Sequence, residues 1–520
     1  MSKFLKGTII LLVAGLVTRV LGFINRIVIA RFIGEEGVGL YMMAFPTLIL
    51  VITITQLGLP VAISKNVAEA QARGDYKKIK KILVISLAVT TSLSIIFTPA
   101  LIFLAPYLSK TLFTDPRTHF PLLAIAPIVP IVAISSVIRG YFQGRQNMKP
   151  AAISQIIEQL VRITLIAVLT KKFLPYGIEY AAAAAMVASV IGELISLLYL
   201  LTTFKLKKRF KLRANFFKSI YSGKDTFQEL MSIALPTTGS RMIGSVAWFF
   251  EPIVVAHSLA LAGVTAITAT KQYGSLVGYA LPLLLLPSFI TLSLSTSLVP
   301  AISEANSRND KKLIEYRLRQ ALRFTFLSGG LSVVVLFVLA EPLMQVMYGS
   351  TSGAPFIKLM APFFLFYYYQ GPLQAVLQAL NLARAAMINS FIGAVVKTAV
   401  IFFLASQPSF GIKGAALGII TGFVLVTMLH FATVLKFISF TFYVREYVSA
   451  FMVMGITSWS GEWLFTHYPI SDRLAINVLV TSVEMTVIYM VLLVVFQLIN
   501  KQDIKRIPWI GKTFTNWGLI

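Results

Sequence analysis

The stretch Glu-Ala-Gln-Ala-Arg-Gly-Asp at residues 69–75 recurs as Glu-Ala-Asn-Ser-Arg-Asn-Asp at residues 304–310. Four of the seven positions are identical, and the same offset of 235 residues aligns further residues along the chain. These further pairs are Gln143 with Gln378, Ile153 with Ile388, Val161 with Val396, Arg162 with Lys397, and Leu169 with Leu404. The pattern indicates that one segment was duplicated. In membrane proteins, internal repeats commonly place a transport site at the interface between the two copies.

The composition is that of a membrane protein. Hydrophobic residues make up 57% of the 520 residues, charged residues make up 13%, and the mean hydropathy is +0.81. Apolar stretches of about 20 residues recur along the chain, and each is long enough to cross the hydrocarbon layer as a helix. We therefore predict an all-α polytopic membrane protein with 14 transmembrane helices. The predicted spans lie near 7–33, 39–68, 82–106, 119–144, 151–171, 178–203, 228–257, 271–301, 321–346, 355–381, 385–406, 411–437, 447–467 and 474–500.

The duplication predicts the domain organisation. Its offset covers six helices, an even number, so both copies enter the membrane in the same direction. We therefore expect two six-helix bundles related by a pseudo-two-fold axis along the membrane normal, followed by two further helices. The predicted domains are an N-terminal bundle at 1–203, a basic cytoplasmic linker at 204–227, a C-terminal bundle at 228–437, and helices 13 and 14 with a cytoplasmic tail at 438–520.

The net charge of +26 follows from 46 Lys and Arg residues against 20 Asp and Glu residues. The basic residues are concentrated in alternate loops, at 73–81, 205–224 and 308–319, and in the tail at 501–512. The positive-inside rule accounts for this distribution without a nucleic-acid partner. It places both termini in the cytoplasm and predicts a multi-pass protein of the cell membrane.

The chain lacks the signatures of catalysis and metal binding. It has no cysteine, which excludes disulfides and thiolate chemistry, and its four histidines are dispersed rather than set at ligand spacing. Gly511-Lys512-Thr513 resembles the end of a phosphate-binding loop, but Arg506 stands where that loop requires an earlier glycine. We predict no enzymatic activity, no metal site and no cofactor.

Charged residues within the spans are the candidates for function, because each is costly in the membrane unless it faces a cavity or a partner. Arg19 lies in the first span and Arg241 in the seventh, which is its repeat counterpart, and a glycine follows each by three residues. We expect both arginines to line a cavity. Arg26 lies two helical turns after Arg19 on nearly the same face; it either joins this cavity or extends to the outer headgroups.

The remaining charged positions leave alternatives open. Glu158 and Arg162, four residues apart in the fifth span, form either an intrahelical ion pair or part of a substrate site, and Lys397 occupies the position equivalent to Arg162. Glu251 is either a proton- or ion-coupling group or a counter-ion to Arg241. Single acids in the sixth and fourteenth spans are Glu193 and Glu484. The predicted substrate-binding residues are Arg19, Arg26, Arg162, Arg241, Glu251 and Lys397.

Three stretches carry a resemblance to a known family. Residues 17–23 read Val-Thr-Arg-Val-Leu-Gly-Phe, residues 29–34 read Ile-Ala-Arg-Phe-Ile-Gly, and residues 58–64 read Gly-Leu-Pro-Val-Ala-Ile-Ser. With the following Glu69-Ala70 and Arg73-Gly74-Asp75, they resemble the polysaccharide-transporter branch of the multidrug/oligosaccharidyl-lipid/polysaccharide (MOP) exporter superfamily. The resemblance covers the whole chain.

The resemblance implies a relative of the lipid II flippases, in which arginines of helices 1, 2 and 8 line a cationic cavity. Arg19 matches the first of these arginines, and at the second this chain has Asn25, followed by Arg26. The helix 2 arginine falls in the apolar run 49–54, and the arginine and glutamate of helix 8 fall in the apolar run 281–286. The resemblance therefore extends to the fold and to only part of the binding residues.

We predict a flippase that moves a lipid-linked, pyrophosphate-bearing peptidoglycan precursor outward by alternating access. Resemblance to sporulation members of the branch implies a role in the spore cortex, with Arg19, Arg241 and Arg26 holding the pyrophosphate. The expected partners are the lipid-linked saccharide, membrane lipids and cell-wall synthesis enzymes, and the expected state is a monomer. Three alternatives are a cation-coupled multidrug exporter of the MATE type, a flippase for another lipid-linked polysaccharide unit, and a membrane scaffold for cell-wall enzymes. The exporter requires acids deep in helix 1 or 7, where Glu251 is the candidate.

Overall fold

The computed structural model describes residues 3–207, 221, 223–441 and 443–499, with the side chains from residue 14 onward. All regular secondary structure within these ranges is helical. The predicted all-α membrane fold is confirmed. Most of the predicted basic linker (208–220 and 222) and the predicted cytoplasmic tail from residue 500 lie outside the described residues.

The helices are numbered here in chain order. Those up to the basic linker are α1 (Lys3–Gln56), α2 (Leu59–Ala72), α3 (Tyr76–Tyr107), α4 (His119–Ile125), α5 (Ile128–Gly144), α6 (Lys149–Phe173) and α7 (Ile178–Lys207). Those after it are α8 (Lys224–Leu261), α9 (Ala266–Tyr273), α10 (Leu281–Leu285), α11 (Ser288–Ser307), α12 (Lys311–Val338), α13 (Ala340–Tyr348), α14 (Ala354–Met360), α15 (Phe364–Ala379), α16 (Ala383–Ala405), α17 (Ile412–Leu435), α18 (Val444–His467) and α19 (Leu474–Val495). A π-helical segment, Gly274–Ala280, joins α9 to α10.

The chain is a multi-pass membrane protein. Among the described residues, 10 helical stretches are long and apolar enough to cross a membrane, or 11 if the bent pair Ala266–Leu285 and Ser288–Ser307 is one span. One of the 10, Ala14–Ala72, is 59 residues long, about 88 Å as a straight helix and far more than a bilayer requires. Gly34 interrupts it with φ 63° and ψ −173°, where the sequence predicts a loop between two spans. The count of 14 spans stays a prediction.

Backbone geometry repeats with the offset of the duplicated sequence. Outside its helices the described chain has left-handed residues at Gly74 and Asn309, at Thr114 and Gly349, and at Gln146 and Asn381, and each pair is 235 residues apart. A positive φ is uncommon for residues other than glycine, so three coincidences at one offset reflect a shared backbone path. The duplication is therefore visible in the three-dimensional structure as well as in the sequence.

The duplicated motif of residues 69–75 and 304–310 forms a tight turn between two helices. Asp75 caps α3 by accepting a hydrogen bond from the Lys78 amide at 2.8 Å, and Asp310 caps α12 by accepting one from the Leu313 amide at 2.9 Å. Before each aspartate, a left-handed residue ends the preceding helix, with the aspartate amide bonded back to a carbonyl five residues earlier. The aspartate shared by the two copies is thus explained by helix capping.

The chain separates into two compact units. The first comprises Met1–Pro282 with Ala394–Ile419, and the second comprises Leu283–Gly393 with Ile420–Ile520. Buried side chains of α2, α3, α5, α7 and α8 form a core cluster in the first unit, and those of α11, α12, α15 and α17 form one in the second. The predicted domains follow the sequence duplication instead, and their boundaries stay a prediction.

Close packing of α6 on α7 positions the charged residues of the first unit. Small side chains on α7, such as Ala185, Ala188 and Gly192, are buried. A Cβ atom at Gly192 would lie 3.0 Å from the carbonyl oxygen of Glu158. Small residues allow helix backbones to approach closely in membranes. This approach brings Glu158 on α6 near Glu193 on α7.

Candidate functional site

Arg19 on α1 and Arg241 on α8 have the same local surroundings. Both are exposed, and a Cβ atom built at the glycine three residues later, Gly22 or Gly244, would meet no other atom within 4 Å. Residues three apart share one face of a helix, so each arginine lies on a face that borders open space. The two helices pack against each other in the first compact unit.

Arg19 and Arg241 have no acidic partner among the described residues. Within the described ranges, no carboxylate forms a salt bridge with Arg19 or Arg241. Two other cations predicted for the site, Arg162 and Lys397, are paired with acids, as described below. In the described part of the chain, no carboxylate therefore competes with an anionic ligand for Arg19 or Arg241.

Arg26 of α1 is partly buried. Its neighbour Asn25 is 6% exposed, and the Asn25 Oδ1 atom accepts no hydrogen bond from the described residues. Arg26 is thus less accessible than Arg19, which is exposed on nearly the same face of α1. Its predicted role in substrate binding stays a prediction.

Glu251 pairs with Lys397 rather than with Arg241. The Lys397 ammonium donates to Glu251 Oε2, and the two side chains are 19% and 8% exposed. Glu251 follows Arg241 by 10 residues on α8, whereas Lys397 comes from α16, whose second half belongs to the same compact unit. Glu251 is therefore the counter-ion of Lys397 and not of Arg241.

A four-residue charge network joins α5, α6 and α7. Arg139 Nη2 lies 3.1 Å from Glu193 Oε1 and 3.6 Å from Glu158 Oε2, and it donates to Ser196 Oγ at 3.0 Å. Arg162 pairs with the other oxygen of Glu158. Two guanidiniums thus neutralise two carboxylates, and the intrahelical pair Glu158–Arg162 is the reading that the structure favours. Glu193, single in the sequence, has a partner in Arg139, which sequence reasoning missed.

A polar cluster ties α9 to helices of the first repeat. Arg117 donates to Glu36 and, at 2.8 Å, to Asp115 Oδ2, and the Thr270 hydroxyl donates to the same oxygen at 2.8 Å. Lys271 lies 3.8 Å from Glu35. We call the residues Glu36, Asp115, Arg117 and Thr270 the outer cluster, because the positive-inside rule predicts that this end faces outward.

Glycine makes the approach of α9 to α1 possible. A Cβ atom at Gly39 would lie 2.0 Å from the Thr270 carbonyl oxygen, and one at Gly274 would lie 2.0 Å from the Glu35 carbonyl oxygen. No larger residue fits at either position without moving the backbone. The Tyr279 hydroxyl adds a hydrogen bond to the Ala30 carbonyl at 3.1 Å.

The outer cluster predicts an acid-sensitive contribution to stability. Burial raises the pKa of Asp115, but hydrogen bonds from Arg117 and Thr270 and the charge of Arg117 outweigh it, so the pKa lies below its ordinary value. A carboxyl with a depressed pKa stabilises the folded state above about pH 4, and this contribution is lost as pH falls through the folded-state pKa. We expect the difference in melting temperature between the wild type and Asp115→Asn in detergent to be constant from about pH 8 to 5 and to shrink below about pH 4. A difference that grows with acid would contradict the assignment.

A second contact between the repeats lies at the opposite end of α8. Lys78 Nζ is 2.9 Å from Glu229 Oε2, and Gly58, with φ 59°, lies so close to α8 that a Cβ atom would be 2.6 Å from the Ala234 carbonyl oxygen. We call Gly58, Lys78, Glu229 and Ala234 the inner contact. Arg241 follows Glu229 by 12 residues, about 18 Å along the helix axis. Arg241 therefore lies near the middle of α8, away from this contact.

Comparison with known proteins identifies the family. The model of the family described as "Polysaccharide biosynthesis protein" matches residues 4–306, more than half of the chain, and the MatE model matches residues 246–403. The chain belongs to the MOP exporter superfamily. The first match covers the first repeat with α8 to α11, and the second begins within α8. The family predicted from the sequence is confirmed.

Two relatives share most of their length with this chain. Stage V sporulation protein B of Bacillus subtilis (strain 168) is 62% identical over 98% of this chain and 99% of its own. Lipid II flippase MurJ of the same organism is 26% identical over 76% of both chains. MurJ is named a flippase, and the solved structures below are named a flippase and a transporter, so the prediction that this chain is not an enzyme is confirmed.

Solved structures confirm the fold. "Lipid II flippase MurJ, inward closed conformation" covers 93% of this chain and 98% of its own with a TM-score of 0.67 and 16% identity. An inward-facing multidrug resistance MATE family transporter of the MOP superfamily covers 80% and 93%, with a TM-score of 0.65 and 15% identity. At these identities the likeness establishes the architecture and leaves the substrate to be argued from the residues.

Proposed function

We propose that this protein is a flippase that moves a lipid-linked, pyrophosphate-bearing peptidoglycan precursor of the lipid II type outward across the cytoplasmic membrane for spore cortex synthesis. The 62% identity to stage V sporulation protein B supports the link to sporulation. The relationship to a protein named lipid II flippase supports the substrate class. The observation that carries the proposal is the pair of exposed arginines, Arg19 and Arg241, that lack an acidic partner among the described residues.

Electrostatics favours an anionic headgroup at these arginines. At 4 Å, opposite unit charges attract by about 1 kcal/mol in water but by about 4 kcal/mol at an effective dielectric constant of 20. A diphosphate offers more than one negative charge, and the planar guanidinium matches the geometry of phosphate oxygens. Arg19 and Arg241 lie on α1 and α8, one helix from each repeat, and a repeat-based transporter is expected to hold its substrate between its repeats.

In an alternating-access mechanism, the outer cluster and the inner contact would act as the two gates. The inner contact would separate the arginines from the cytoplasm, and the outer cluster would separate them from the external side. Opening of one while the other is closed would move the headgroup across, while the lipid tail stays in the bilayer. The protein acts as a monomer with both termini in the cytoplasm, and it delivers its substrate to cell-wall synthesis enzymes.

A multidrug exporter is the second candidate, favoured by the MatE match at residues 246–403. A cationic drug or coupling ion requires an available acid deep in the first or the seventh predicted span, which correspond to α1 and α8. Glu251 meets the position, but Lys397 neutralises it. Two unneutralised arginines would also repel a cationic drug. Drug resistance on overexpression that Glu251→Gln abolishes would support this candidate.

Loss of the protein tests the proposal. In a sporulating deletion strain, we expect a lipid II-type precursor to accumulate on the cytoplasmic leaflet while cortex peptidoglycan is lost, because the precursor cannot reach the outer enzymes. Lipid extracts analysed by mass spectrometry identify the sugar, and protection from an externally added precursor-cleaving enzyme reports the leaflet. Accumulation of another lipid-linked sugar would assign another polysaccharide unit. Cortex loss without any lipid-linked intermediate would favour a scaffold.

A further inference from the structure

A groove of about 500 Å³ lies between α3 and the start of α8, away from the arginines. Its walls are mostly apolar and include Ala88, Val89 and Leu93 from α3 and Phe227 from α8. Lys224 lines the end of the groove at the start of α8, as does Tyr221, which is 91% exposed. Tyrosine is enriched at the level of the lipid headgroups, and lysine extends its charged end to the same level.

The α3 wall of the groove runs from the membrane surface into the span. Its residues from Ile85 to Leu93 recur at intervals of three and four, so they form one stripe about 12 Å long. The stripe begins one helical turn after Lys81, the last residue of the basic run Lys77–Lys81. Basic residues at the membrane surface are thus followed by an apolar groove. This arrangement matches a phospholipid with an anionic headgroup and apolar acyl chains.

We propose that this groove binds one acyl chain of an anionic glycerophospholipid of the cytoplasmic leaflet, with the headgroup phosphate at Lys224. The surface of that leaflet is negative, and each nearby lysine contributes about 1 kcal/mol of attraction. The lipid lies across α3 and α8, the same two helices that the Lys78–Glu229 pair joins at 2.9 Å. Its binding therefore stabilises the inner contact.

The position of the groove separates this lipid from the transported substrate. Phe227 precedes Arg241 by 14 residues, about 21 Å along the axis of α8. A substrate held at Arg241 would have to direct its tail back toward the cytoplasmic surface to enter the groove. A resident phospholipid enters from the interface, where its headgroup already lies.

Photo-crosslinking in cells tests the identity of the occupant. A benzophenone amino acid placed at Leu93 in the full chain is expected to capture anionic phospholipid well above its share of the membrane. The matched site is Ile95, which is 68% exposed on the same helix and does not line the groove, and which should capture lipids in bulk proportion. Polyprenyl adducts, peptide adducts of this chain, or bulk-proportion lipid at Leu93 would each overturn the proposal.

Lipid retention by the purified full chain provides an independent test. In native mass spectrometry with phosphatidylglycerol, Ala88→Trp fills the groove and should lower the retained lipid at least threefold, whereas Ile95→Trp should not. Lys224→Gln should reduce the preference for phosphatidylglycerol over phosphatidylcholine of identical chains, whereas Lys65→Gln, an exposed lysine outside the groove, should not. Retention by Ala88→Trp equal to wild type, or no effect of Lys224→Gln, would contradict the assignment.

Discussion

Replacing both Arg19 and Arg241 with alanine is expected to weaken binding of a lipid-linked diphosphate by about a hundredfold or more. A hydrogen bond to a charged group contributes about 1.5–3 kcal/mol, and each 1.4 kcal/mol is a factor of about ten in affinity. Each arginine should therefore account for at least about tenfold. Both lie beside open space without an acidic partner in the described chain, so their removal exposes no buried carboxylate and the fold should persist.

Matched variants separate charge from geometry in this experiment. Arg19→Lys keeps the charge but loses the guanidinium fork, so it should bind more weakly than wild type and more tightly than Arg19→Ala. Arg384→Ala removes an exposed arginine at the start of α16, in the other compact unit, and should leave binding unchanged. Binding is measured with purified protein and a diphosphate lipid against its uncharged alcohol. Equal affinity of wild type and the double variant would remove the basis of the cationic site.

Replacing Arg139 with leucine is expected to lower the free energy of unfolding by about 3–5 kcal/mol. Arg139 contacts both Glu193, which is 3% exposed, and Glu158, which is 11% exposed. Without Arg139, Glu193 would be left in a poorly solvated site, either as an unpaired charge or as a carboxyl that has taken up a proton. Both outcomes destabilise the folded state. The measurement is denaturant or thermal unfolding of the detergent-solubilised protein near neutral pH.

Two variants make the effect of Arg139 specific. Arg308→Leu breaks the Arg308–Glu304 pair, whose side chains are 69% and 65% exposed, and should cost no more than about 1 kcal/mol. Arg139→Leu combined with Glu193→Gln should recover part of the loss, because the second change removes the orphaned charge. Two results would contradict a stabilising role of Arg139 toward buried carboxylates. Either Arg139→Leu lowers the free energy of unfolding no more than Arg308→Leu does, or the double variant is no more stable than Arg139→Leu.

Local sequence patterns were sufficient for the fold class and for the duplication. The repeat in residues 69–75 and 304–310 predicted a shared path, and the left-handed residues at Gly74 and Asn309 reproduce its offset. The same reasoning placed Arg19 and Arg241 on equivalent helices, and both lie on faces that border open space. These features depend on spacing along one helix or on similarity between two stretches, which a sequence displays directly.

Ion pairs between distant helices could not be predicted in this way. Arg139 and Glu193 are 54 residues apart, and Glu251 and Lys397 are 146 residues apart, so no helical spacing links them. The duplication offers a partial signal in retrospect. The position equivalent to Glu158 is Gly393, so Lys397 has no acid one turn away and pairs with Glu251 on another helix.

The two copies have also diverged in charge. The second-copy positions equivalent to Arg139 and Glu193 are Gln374 and Met428, so the four-residue network exists only in the first copy. The two copies therefore share a backbone path but not the same charged side chains. Among the described residues of the predicted site, Arg19 on α1 and Arg241 on α8 are arginines without an acidic partner.

Transport in reconstituted vesicles tests the central claim most directly. Full-length protein is incorporated into liposomes with a fluorescent lipid-linked diphosphate saccharide, and its movement between leaflets is followed by quenching from one side. We predict rapid movement with wild type and with Arg384→Ala, and a rate no higher than in protein-free liposomes with the Arg19→Ala, Arg241→Ala double variant. Movement by the double variant at the wild-type rate would contradict the account.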